Sequence, residues 1–336
     1  MPTLLVSPFI ERTYRAAIEA AWPGIELLVL PADPAGRLPA DALERVDFAY
    51  FSGDVYPDYS RSFFAATQGA ASLRWLHTFN AGVDNPVFRR FLDRGVVLST
   101  SSGSTAQPIA QSVIGGMLLL SRPFLRWAEA QRRRAWEPVP AAEAPPDLAG
   151  QRMTVVGLGA IGSEVARLAR AFGLDVTGVR RSPRREGDPV ERVEPPGRLE
   201  ELARATDWLV LACPLTDETK GLVSERVLRA LPRGACVLNV ARGEVVDEAA
   251  LIAALQDGHL GGAYLDVFAT EPLPPDSPLW TLPNVVISPH NSAGGGRERA
   301  AGHGGVFPAE PRADAAGRAA GERSSRLRRI AQRCRQ

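Results

Sequence analysis

The feature that most constrains the fold is the glycine-rich loop Gly157–Gly162, which has the sequence GLGAIG. The loop directly follows a short apolar strand, Thr154–Val156, and opens a helical segment, Ser163–Phe172. In this context the three glycines permit a tight turn and a close approach of the backbone to a pyrophosphate. The dipole of the helix that follows favours the negative charge of that pyrophosphate. The pattern therefore predicts a dinucleotide site, with a tight turn that binds nothing as the alternative. The candidate cofactor residues in the loop are Gly157, Leu158, Gly159, Ala160, Ile161 and Gly162.

Short apolar segments alternate with helical segments, such as Glu11–Trp22 and Tyr59–Ala70, along most of the chain. A long helical stretch from Thr105 to Trp136 and a proline-rich spacer at Glu137–Asp147 separate two sets of predicted strands. The first set is Leu4–Ser7, Glu26–Leu30, Phe48–Gly53, Leu73–Phe79 and Val96–Thr100. The second set is Met153–Gly159, Asp175–Arg180, Trp208–Cys213, Ala235–Val240, Gly262–Val267 and Val285–Ser288. This alternation predicts an α/β fold class with two doubly wound parallel-sheet domains.

Composition argues against several classes of partner. The net charge of +1 gives no electrostatic reason to expect nucleic acid or an anionic membrane as a partner. The N-terminus lacks a basic region followed by a long apolar core, and the longest apolar run, Val113–Leu120, is too short to span a bilayer. Cys213, Cys236 and Cys334 lack the spacing of metal ligands, so we expect no metal and a reducing cytoplasm.

The predicted strand after the glycine loop leads into Arg180, Arg181 and Ser182 rather than into an acidic residue. An acidic side chain about 20 residues after the loop holds the ribose 2′-hydroxyl of NAD, whereas arginine accommodates the 2′-phosphate of NADP. We therefore expect NADP(H) in preference to NAD(H). An exposed basic turn is the alternative, since Arg184 and Arg185 follow closely.

Three further segments carry candidate catalytic residues: Asn239–Leu251, Tyr264–Pro274 and Ser288–Gly294. Their sequences, NVARGEVVDEAAL, YLDVFATEPLP and SPHNSAG, resemble the signature segments of the D-isomer-specific 2-hydroxy acid dehydrogenase family. The resemblance begins at about Leu73, ends with the third segment and is densest from Gly157 onward. Three such segments in the family's order behind a dinucleotide loop are highly specific. The resemblance implies an NAD(P)-dependent enzyme of the glyoxylate/hydroxypyruvate reductase type.

The resemblance implies a role for each of four residues. Arg242 would hold the substrate carboxylate and polarise the keto oxygen, and a planar guanidinium suits a carboxylate. His290 would give a proton to that oxygen as hydride reaches the carbon. Glu271 would hydrogen-bond His290, orient its ring and stabilise the imidazolium. Asp266 would bond the nicotinamide carboxamide of the cofactor.

Each catalytic candidate also has a purely structural interpretation. Arg242 suits a helix cap or a surface ion pair, while Glu271 and His290 suit ordinary loops. Together they are hard to explain in that way, because all three would have to reproduce the family pattern by chance. The remaining histidines have no such context, and we expect them to be structural or exposed: His77, His259 and His303.

Two other segments match the family away from the catalytic residues. The segment FNAGVD, Phe79–Asp84, resembles the loop whose backbone amides hold the substrate carboxylate, with an ordinary turn as the alternative. The segment CPLT, Cys213–Thr216, matches the adenine side of the cofactor site. The substrate-binding candidates are Asn80, Ala81, Gly82 and Val83, together with Arg242. The further cofactor candidates are Cys213, Pro214, Thr216 and Ala241.

The resemblance also implies a domain organisation and an assembly. We expect a flavodoxin-like substrate domain at residues 1–100, joined by part of residues 292–336. We expect a Rossmann domain that binds NAD(P) at residues 101–291. The helix Pro108–Arg122 matches a family helix that packs in a dimer interface, so we expect a homodimer.

After Gly294 the resemblance stops, and the chain continues as an arginine-rich segment with few apolar residues. Family members would instead return to the first domain in a helix followed by a segment such as GEPLVNEV. Read one nucleotide later, the codons of Val306–Ser324 permit FFLQNLGRMLRGEPLVNEV, so we interpret residues 295–336 as an aberrant tail from a shifted reading frame. A divergent tail and a basic tail that binds an acidic partner are the alternatives.

These patterns together predict an oxidoreductase that transfers a hydride between NAD(P)H and a small 2-keto or 2-hydroxy acid. The rival from another class is a dinucleotide-sensing protein, like the corepressors that share this fold. An inactive product of a damaged gene is the third hypothesis. Measurements of turnover, cofactor binding and folding distinguish these three hypotheses.

Overall fold

The structure, a computed structural model, describes residues 1–80, 82–83, 85–101 and 103–293. The described residues form two compact units, of which the first is Met1–Thr105 and the second begins at Ala106. The expectations that lie outside the described residues are the reading-frame interpretation of residues 295–336, the contribution of that segment to the substrate domain, and the roles of Ala81, His303 and Cys334.

The first unit contains one parallel sheet of five strands with helices between them. Its strands are β1 (Thr3–Val6), β2 (Glu26–Val29), β3 (Val46–Phe51), β4 (Trp75–Thr78) and β5 (Val97–Thr100). Its helices are α1 (Pro8–Ala21), α2 (Ala40–Glu44), α3 (Ser60–Gly69) and α4 (Pro86–Asp93). The strand order β2-β1-β3-β4-β5 is that of flavodoxin-like sheets.

The central strands β1, β3 and β4 are buried on both faces of this sheet, which explains why they are apolar. Along β3, Phe48 and Tyr50 pack into one apolar cluster, whereas Ala49 and Phe51 pack into another. Successive side chains of a strand point to opposite faces, so the two clusters lie on the two faces of the sheet. Ser7 caps α1 by accepting a hydrogen bond from the Ile10 N–H at 3.1 Å.

The second unit contains a parallel sheet of seven strands. They are β6 (Arg152–Val156), β7 (Asp175–Val179), β8 (Arg192–Glu194), β9 (Trp208–Leu211), β10 (Cys236–Asn239), β11 (Gly262–Leu265) and β12 (Val285–Ile287). Its helices are α5 (Ala106–Ser121), α6 (Phe124–Arg132), α7 (Ala160–Ala171), α8 (Leu199–Ala203), α9 (Glu225–Ala230) and α10 (Glu248–Gln256). The order β12-β11-β10-β9-β6-β7-β8 is the Rossmann order with one further strand. The predicted fold class is therefore confirmed.

Two details of the second unit differ from the prediction. Strand β8 is missing from the predicted set because its sequence, RVE, is polar and lies at the sheet edge. The predicted helical stretch Thr105–Trp136 is two helices, α5 and α6, with a break at Arg122 and Pro123. Proline lacks an N–H and disfavours helical geometry in the preceding residue, which accounts for the break.

The topology brings the candidate residues of the second unit to one edge. The glycine loop follows β6, Arg180 follows β7, Cys213 follows β9, and the remaining candidates follow β10, β11 and β12. Because all seven strands are parallel, these loops share the carboxyl edge of the sheet, where ligands of open α/β sheets bind. No helix in the described ranges is both long and apolar enough to cross a bilayer.

Candidate functional site

The glycine loop has the backbone that its sequence predicts. Gly157 has φ of +96°, and a Cβ there would lie 2.7 Å from the backbone nitrogen of Cys213. A Cβ on Gly162 would lie 1.9 Å from the carbonyl oxygen of Gly157. At Gly159, by contrast, no heavy atom lies within 4 Å of the position a Cβ would take. Two of the glycines are required by packing, and the third leaves open space beside the helix.

That open space faces the N-terminus of α7. The helix begins at Ala160 with Gly159 as its N-cap, and no side chain caps it. The first amide groups of a helix carry a partial positive charge and need acceptors. Behind the loop, Leu158 packs so closely on Gly178 of β7 that any larger residue there would collide with it. The residues present therefore fit the pyrophosphate of a dinucleotide.

Arg180 is held within its own loop. Its guanidinium forms a two-point ion pair with Asp188, at 3.0 Å to Oδ1 and 2.7 Å to Oδ2, and it also donates to the carbonyls of Ser182 and Pro183. The two side chains are only 15% and 10% exposed. Hydrogen bonds from Arg180, and from the backbone N–H of Arg185, lower the pKa of Asp188 to about 2. Arg180 thus stabilises the turn, with little capacity left for a ligand.

Arg181 and Ser182 are more available than Arg180. Arg181 is exposed and pairs with Glu218 at 3.0 Å, an interaction of the kind that contributes little in water. The Ser182 hydroxyl accepts a hydrogen bond from Arg185 at 3.0 Å. Arginine side chains and a hydroxyl therefore surround the end of β7, where the ribose of a dinucleotide would lie.

The segment after β9 contains the further cofactor candidates Cys213, Pro214 and Thr216. Burial raises the pKa of the Cys213 thiol to about 11, so the side chain stays protonated and apolar. The Thr219 hydroxyl accepts from the Thr216 N–H at 2.8 Å and donates to the Pro214 carbonyl at 2.7 Å. These bonds hold Pro214 and Thr216 in one rigid turn.

The structure brings His290 and Glu271 into direct contact. Nδ1 of His290 lies 2.7 Å from Oε2 of Glu271, while Oε1 of Glu271 accepts the Phe268 N–H at 3.0 Å. The carboxylate is therefore fixed through both oxygens. The side chains are 46% and 35% exposed, so the opposite ring nitrogen, Nε2, can meet a ligand.

Asp266 holds the turn that carries His290. Asp266 as a residue is 4% exposed, and its carboxylate accepts hydrogen bonds from the hydroxyls of Ser288 and Ser292 and from the N–H groups of Asn291 and Ser292. Its carbonyl accepts the His290 N–H at 2.8 Å, and His290 has φ of +50°. Few non-glycine residues adopt that backbone conformation, so the turn depends on these bonds. Little of the carboxylate remains for the nicotinamide contact that the resemblance implies.

Arg242 lies on a neighbouring loop that packs against the Glu271 loop. Its Nη1 donates to the Ala241 carbonyl at 2.7 Å, and the Asn239 side chain bonds both the Ala241 N–H and the Arg242 carbonyl. A Cβ on Gly243 would lie 1.9 Å from the carbonyl carbon of Phe268. This close backbone contact holds the loop after β10, which carries Arg242, against the loop after β11, which carries Glu271.

The substrate-loop candidates lie in the first unit, directly after β4. The Asn80 N–H donates to the Thr78 hydroxyl at 3.2 Å, and Asn80, Gly82 and Val83 are half-buried. Among the other histidines, His77 is buried between two serines, and His259 contacts the Leu228 carbonyl. His303 lies outside the described residues.

Three residues that position the candidates were missed by the sequence reasoning. Asp188 pairs with Arg180, and Ser288 and Ser292 bind Asp266. An acidic residue eight positions after an arginine, or serines flanking a histidine, give no distinctive signal in a single sequence. Within the part of the chain that the structure describes, no three His, Cys, Asp or Glu side chains are placed to hold a metal ion.

The chain is similar to known proteins over most of its length. Residues 114–292 match the family described as D-isomer specific 2-hydroxyacid dehydrogenase, NAD binding domain. A glyoxylate reductase from Korarchaeum cryptofilum (strain OPF8) is 35% identical over 233 residues, which are 66% of this chain and 68% of that protein.

Solved structures extend the similarity to the fold. A D-isomer specific 2-hydroxyacid dehydrogenase from Xanthobacter autotrophicus Py2, in complex with NADPH and MES, is 33% identical with a TM-score of 0.69. The alignment covers 90% of this chain and 91% of that one. An NADPH-dependent glyoxylate/hydroxypyruvate reductase from Sinorhizobium meliloti, in complex with NADP and sulfate, is 27% identical with a TM-score of 0.69 and the same coverage.

Proposed function

Since the chain belongs to the D-isomer specific 2-hydroxyacid dehydrogenase family, and is thus an NAD(P)-dependent oxidoreductase, we propose that it reduces small 2-keto acids with NADPH. Relatives named glyoxylate reductase and glyoxylate/hydroxypyruvate reductase support glyoxylate and hydroxypyruvate as substrates. The observation that carries the proposal is the contact of His290 with Glu271 at the carboxyl edge of the second sheet.

The proposed proton donor is Nε2 of His290. The nicotinamide supplies a hydride to the keto carbon when it is bound. His290 gives a proton to the keto oxygen, and Glu271 stabilises the charge of the imidazolium through Nδ1. Because both oxygens of Glu271 are bonded, the ring is held in one orientation before substrate arrives.

Two groups are proposed to bind the substrate. The guanidinium of Arg242 holds the carboxylate and polarises the keto oxygen, since its planar donors suit two oxygens at once. The loop after β4 provides further donors for the carboxylate, the backbone amides of Gly82 and Val83, because the Asn80 N–H already donates to the Thr78 hydroxyl.

The proposed preference for NADP(H) depends on Arg181 and Ser182 more than on Arg180. Arg180 is engaged by Asp188, whereas the exposed Arg181 can exchange Glu218 for a phosphate. Phosphate is the stronger partner because it carries more charge and more acceptors. The cofactors in two solved relatives, NADPH and NADP, support the same preference.

The domain roles and the assembly are also proposals. Residues 1–100 form the substrate domain and residues 101–291 the cofactor domain, because the candidate substrate loop and the glycine loop fall in different units. A homodimer is supported by exposed apolar side chains on and after α6, the helix that follows α5; they are Phe124, Leu125, Trp127 and Trp136. Light scattering tests the dimer, and a monomer at micromolar concentration would contradict it.

NADPH oxidation with glyoxylate and hydroxypyruvate tests the function, with NADH in parallel. We expect turnover that His290→Asn abolishes and that the control His259→Asn, in the same unit, retains. The absence of turnover in a folded chain that binds NADPH would contradict the proposal and favour a dinucleotide sensor. A chain that fails to fold would favour the damaged-gene hypothesis.

A further inference from the structure

The first unit contains a pocket of about 530 Å³ that no step of the proposed mechanism uses. It lies at the carboxyl end of its sheet, since its lining includes Phe51, the last residue of β3, and Asn80, two residues after β4. Phe64, Ala65, Val87 and Phe88 extend its apolar wall. This volume is within the range of small-molecule sites and far exceeds what a two-carbon acid fills.

The polar lining of the pocket combines one donor-only group, the guanidinium of Arg61, with amides and hydroxyls that can both donate and accept. Arg61 and Gln68 extend from α3, and Asn80 and Asn85 come from the segment after β4. Oδ1 of Asn85 accepts the Val87 N–H at 2.9 Å, which leaves the amide nitrogen of its side chain free to donate. None of the described lining residues is acidic.

Arg61 is the only charged member of this lining among the described residues. Its guanidinium has no ion pair or hydrogen bond to any other residue that the structure describes. This separates it from Arg180, which is engaged by a carboxylate and two carbonyls. A free guanidinium beside amide donors is suited to a carboxylate ligand.

Asn80 belongs both to this pocket and to the loop proposed to bind the substrate carboxylate. Because Asn80 is part of both, a substrate held at that loop would lie beside the pocket. We propose that Arg61 selects 2-keto acids that carry a second carboxylate at the far end of a short chain. The inference rests on the proposed reduction of 2-keto acids and specifies the substrate class. An apolar substrate would contact the phenylalanines but leave the donors without partners.

The test compares 2-oxoglutarate with 2-oxopentanoate, which has the same chain length but no second carboxylate. We expect the wild-type chain to have a higher kcat/KM for 2-oxoglutarate. In Arg61→Gln that kcat/KM should fall at least tenfold, equivalent to about 1.4 kcal/mol, through KM with kcat retained. Activity on 2-oxopentanoate and glyoxylate should change less than twofold. The matched control is Arg12→Gln on α1, which removes an exposed arginine outside the pocket.

Two results would overturn the inference while the proposed function stands. One is a wild-type preference for 2-oxopentanoate or phenylpyruvate, and the other is an equal effect of Arg61→Gln on both acids. If no 2-keto acid is turned over, the proposed function fails. Titration calorimetry of 2-oxoglutarate into the NADP⁺-saturated chain then still tests whether Arg61 binds the second carboxylate. Binding that is lost in Arg61→Gln and kept in Arg12→Gln supports it, and no binding to the wild-type chain refutes it.

Discussion

Replacing Asp266 with Asn tests how far the position of His290 depends on one buried carboxylate. Oδ1 of Asp266 accepts hydrogen bonds from the Ser288 hydroxyl at 2.6 Å and from the N–H groups of Asn291 and Ser292, each at 3.0 Å. Oδ2 accepts from the Ser292 hydroxyl at 2.5 Å. Asparagine has nearly the same volume, so the substitution removes the charge and one acceptor while it preserves the packing.

The expected loss of stability follows from the number of bonds. A hydrogen bond to a charged group contributes about 1.5–3 kcal/mol, and a neutral one about 0.5–1.5 kcal/mol. If the three bonds to Oδ1 persist as neutral bonds, each loses about 1 kcal/mol, and the free energy of unfolding falls by about 3 kcal/mol. In a domain of about 150–250 residues this lowers Tm by about 6–12 °C.

The same substitution should lower activity. The left-handed backbone of His290 costs about 1–3 kcal/mol, and the bonds of its turn to Asp266 hold it in place. With those bonds weakened, Nδ1 should spend less time at Oε2 of Glu271, and kcat should fall by roughly tenfold or more.

Circular dichroism melts and kcat with NADPH and glyoxylate measure the two effects. The control is Asp276→Asn, which alters an exposed aspartate in the nearby proline-rich loop. The reasoning is refuted if Asp266→Asn melts within about 2 °C of that control, since this is below the loss expected for even 1 kcal/mol. An unchanged kcat in a destabilised variant would refute only the link to His290.

Three other predictions follow from the described contacts. Glu271→Gln removes the charge beside His290, so kcat should fall about tenfold to a hundredfold while the KM for NADPH stays unchanged. Steady-state kinetics measure both constants, and an unaltered kcat would contradict the prediction. Arg180 lowers the pKa of Asp188 to about 2 from 3.8, so the stabilising effect of this carboxylate is present above pH 3.8 and is lost as the pH falls toward 2. Asp188→Asn should therefore lower the free energy of unfolding, measured in urea, more at pH 7 than at pH 3. Equal losses at the two pH values would refute this. Burial lowers the pKa of His77 to about 4, whereas in the unfolded chain the same residue has a pKa of about 6.5. Between these pH values the unfolded chain binds more protons than the folded chain, so about 3 kcal/mol of stability is lost as the pH falls through this window. His77→Gln should remove that part of the pH slope in urea titrations, and an identical slope in the variant would count against the assignment.

The fold was largely predictable because its strands are buried on both faces. Such strands appear as continuous apolar runs, as in WLVL of β9 or CVLN of β10, and the runs alternate with helical segments. Strand β8 escaped the prediction since an edge strand of three residues, of which only Val193 is apolar, has no such run. The break between α5 and α6 carried a signal in Pro123 that the broad helical pattern obscured.

The sequence predicted some residues of the candidate site more reliably than others. The glycine loop could be recognised because its residues are constrained by backbone geometry: Gly157 by its positive φ and Gly162 by its contact with the preceding turn. Arg180 was a less reliable inference, since charge near the end of β7 suggested a phosphate contact while its actual partner, Asp188, stood eight residues away. A pattern of residue types shows which side chains could bind a ligand, and only the folded loop shows which are already engaged.

The same distinction explains why the residues that hold the site were missed. Ser288 and Ser292 donate to the buried carboxylate of Asp266, itself a predicted cofactor residue, and so help to position His290. Their chemistry is ordinary, and their role arises because β11 and β12 are paired in parallel and bring Asp266 beside residues 288–292. Arg61 is the opposite case: its own sequence segment matches no family motif, but the structure leaves it unpaired at a pocket. Specificity in this chain should therefore reside in the first unit, where the sequence carries fewest family motifs, while the proton-transfer geometry depends on the buried hydrogen bonds of the second.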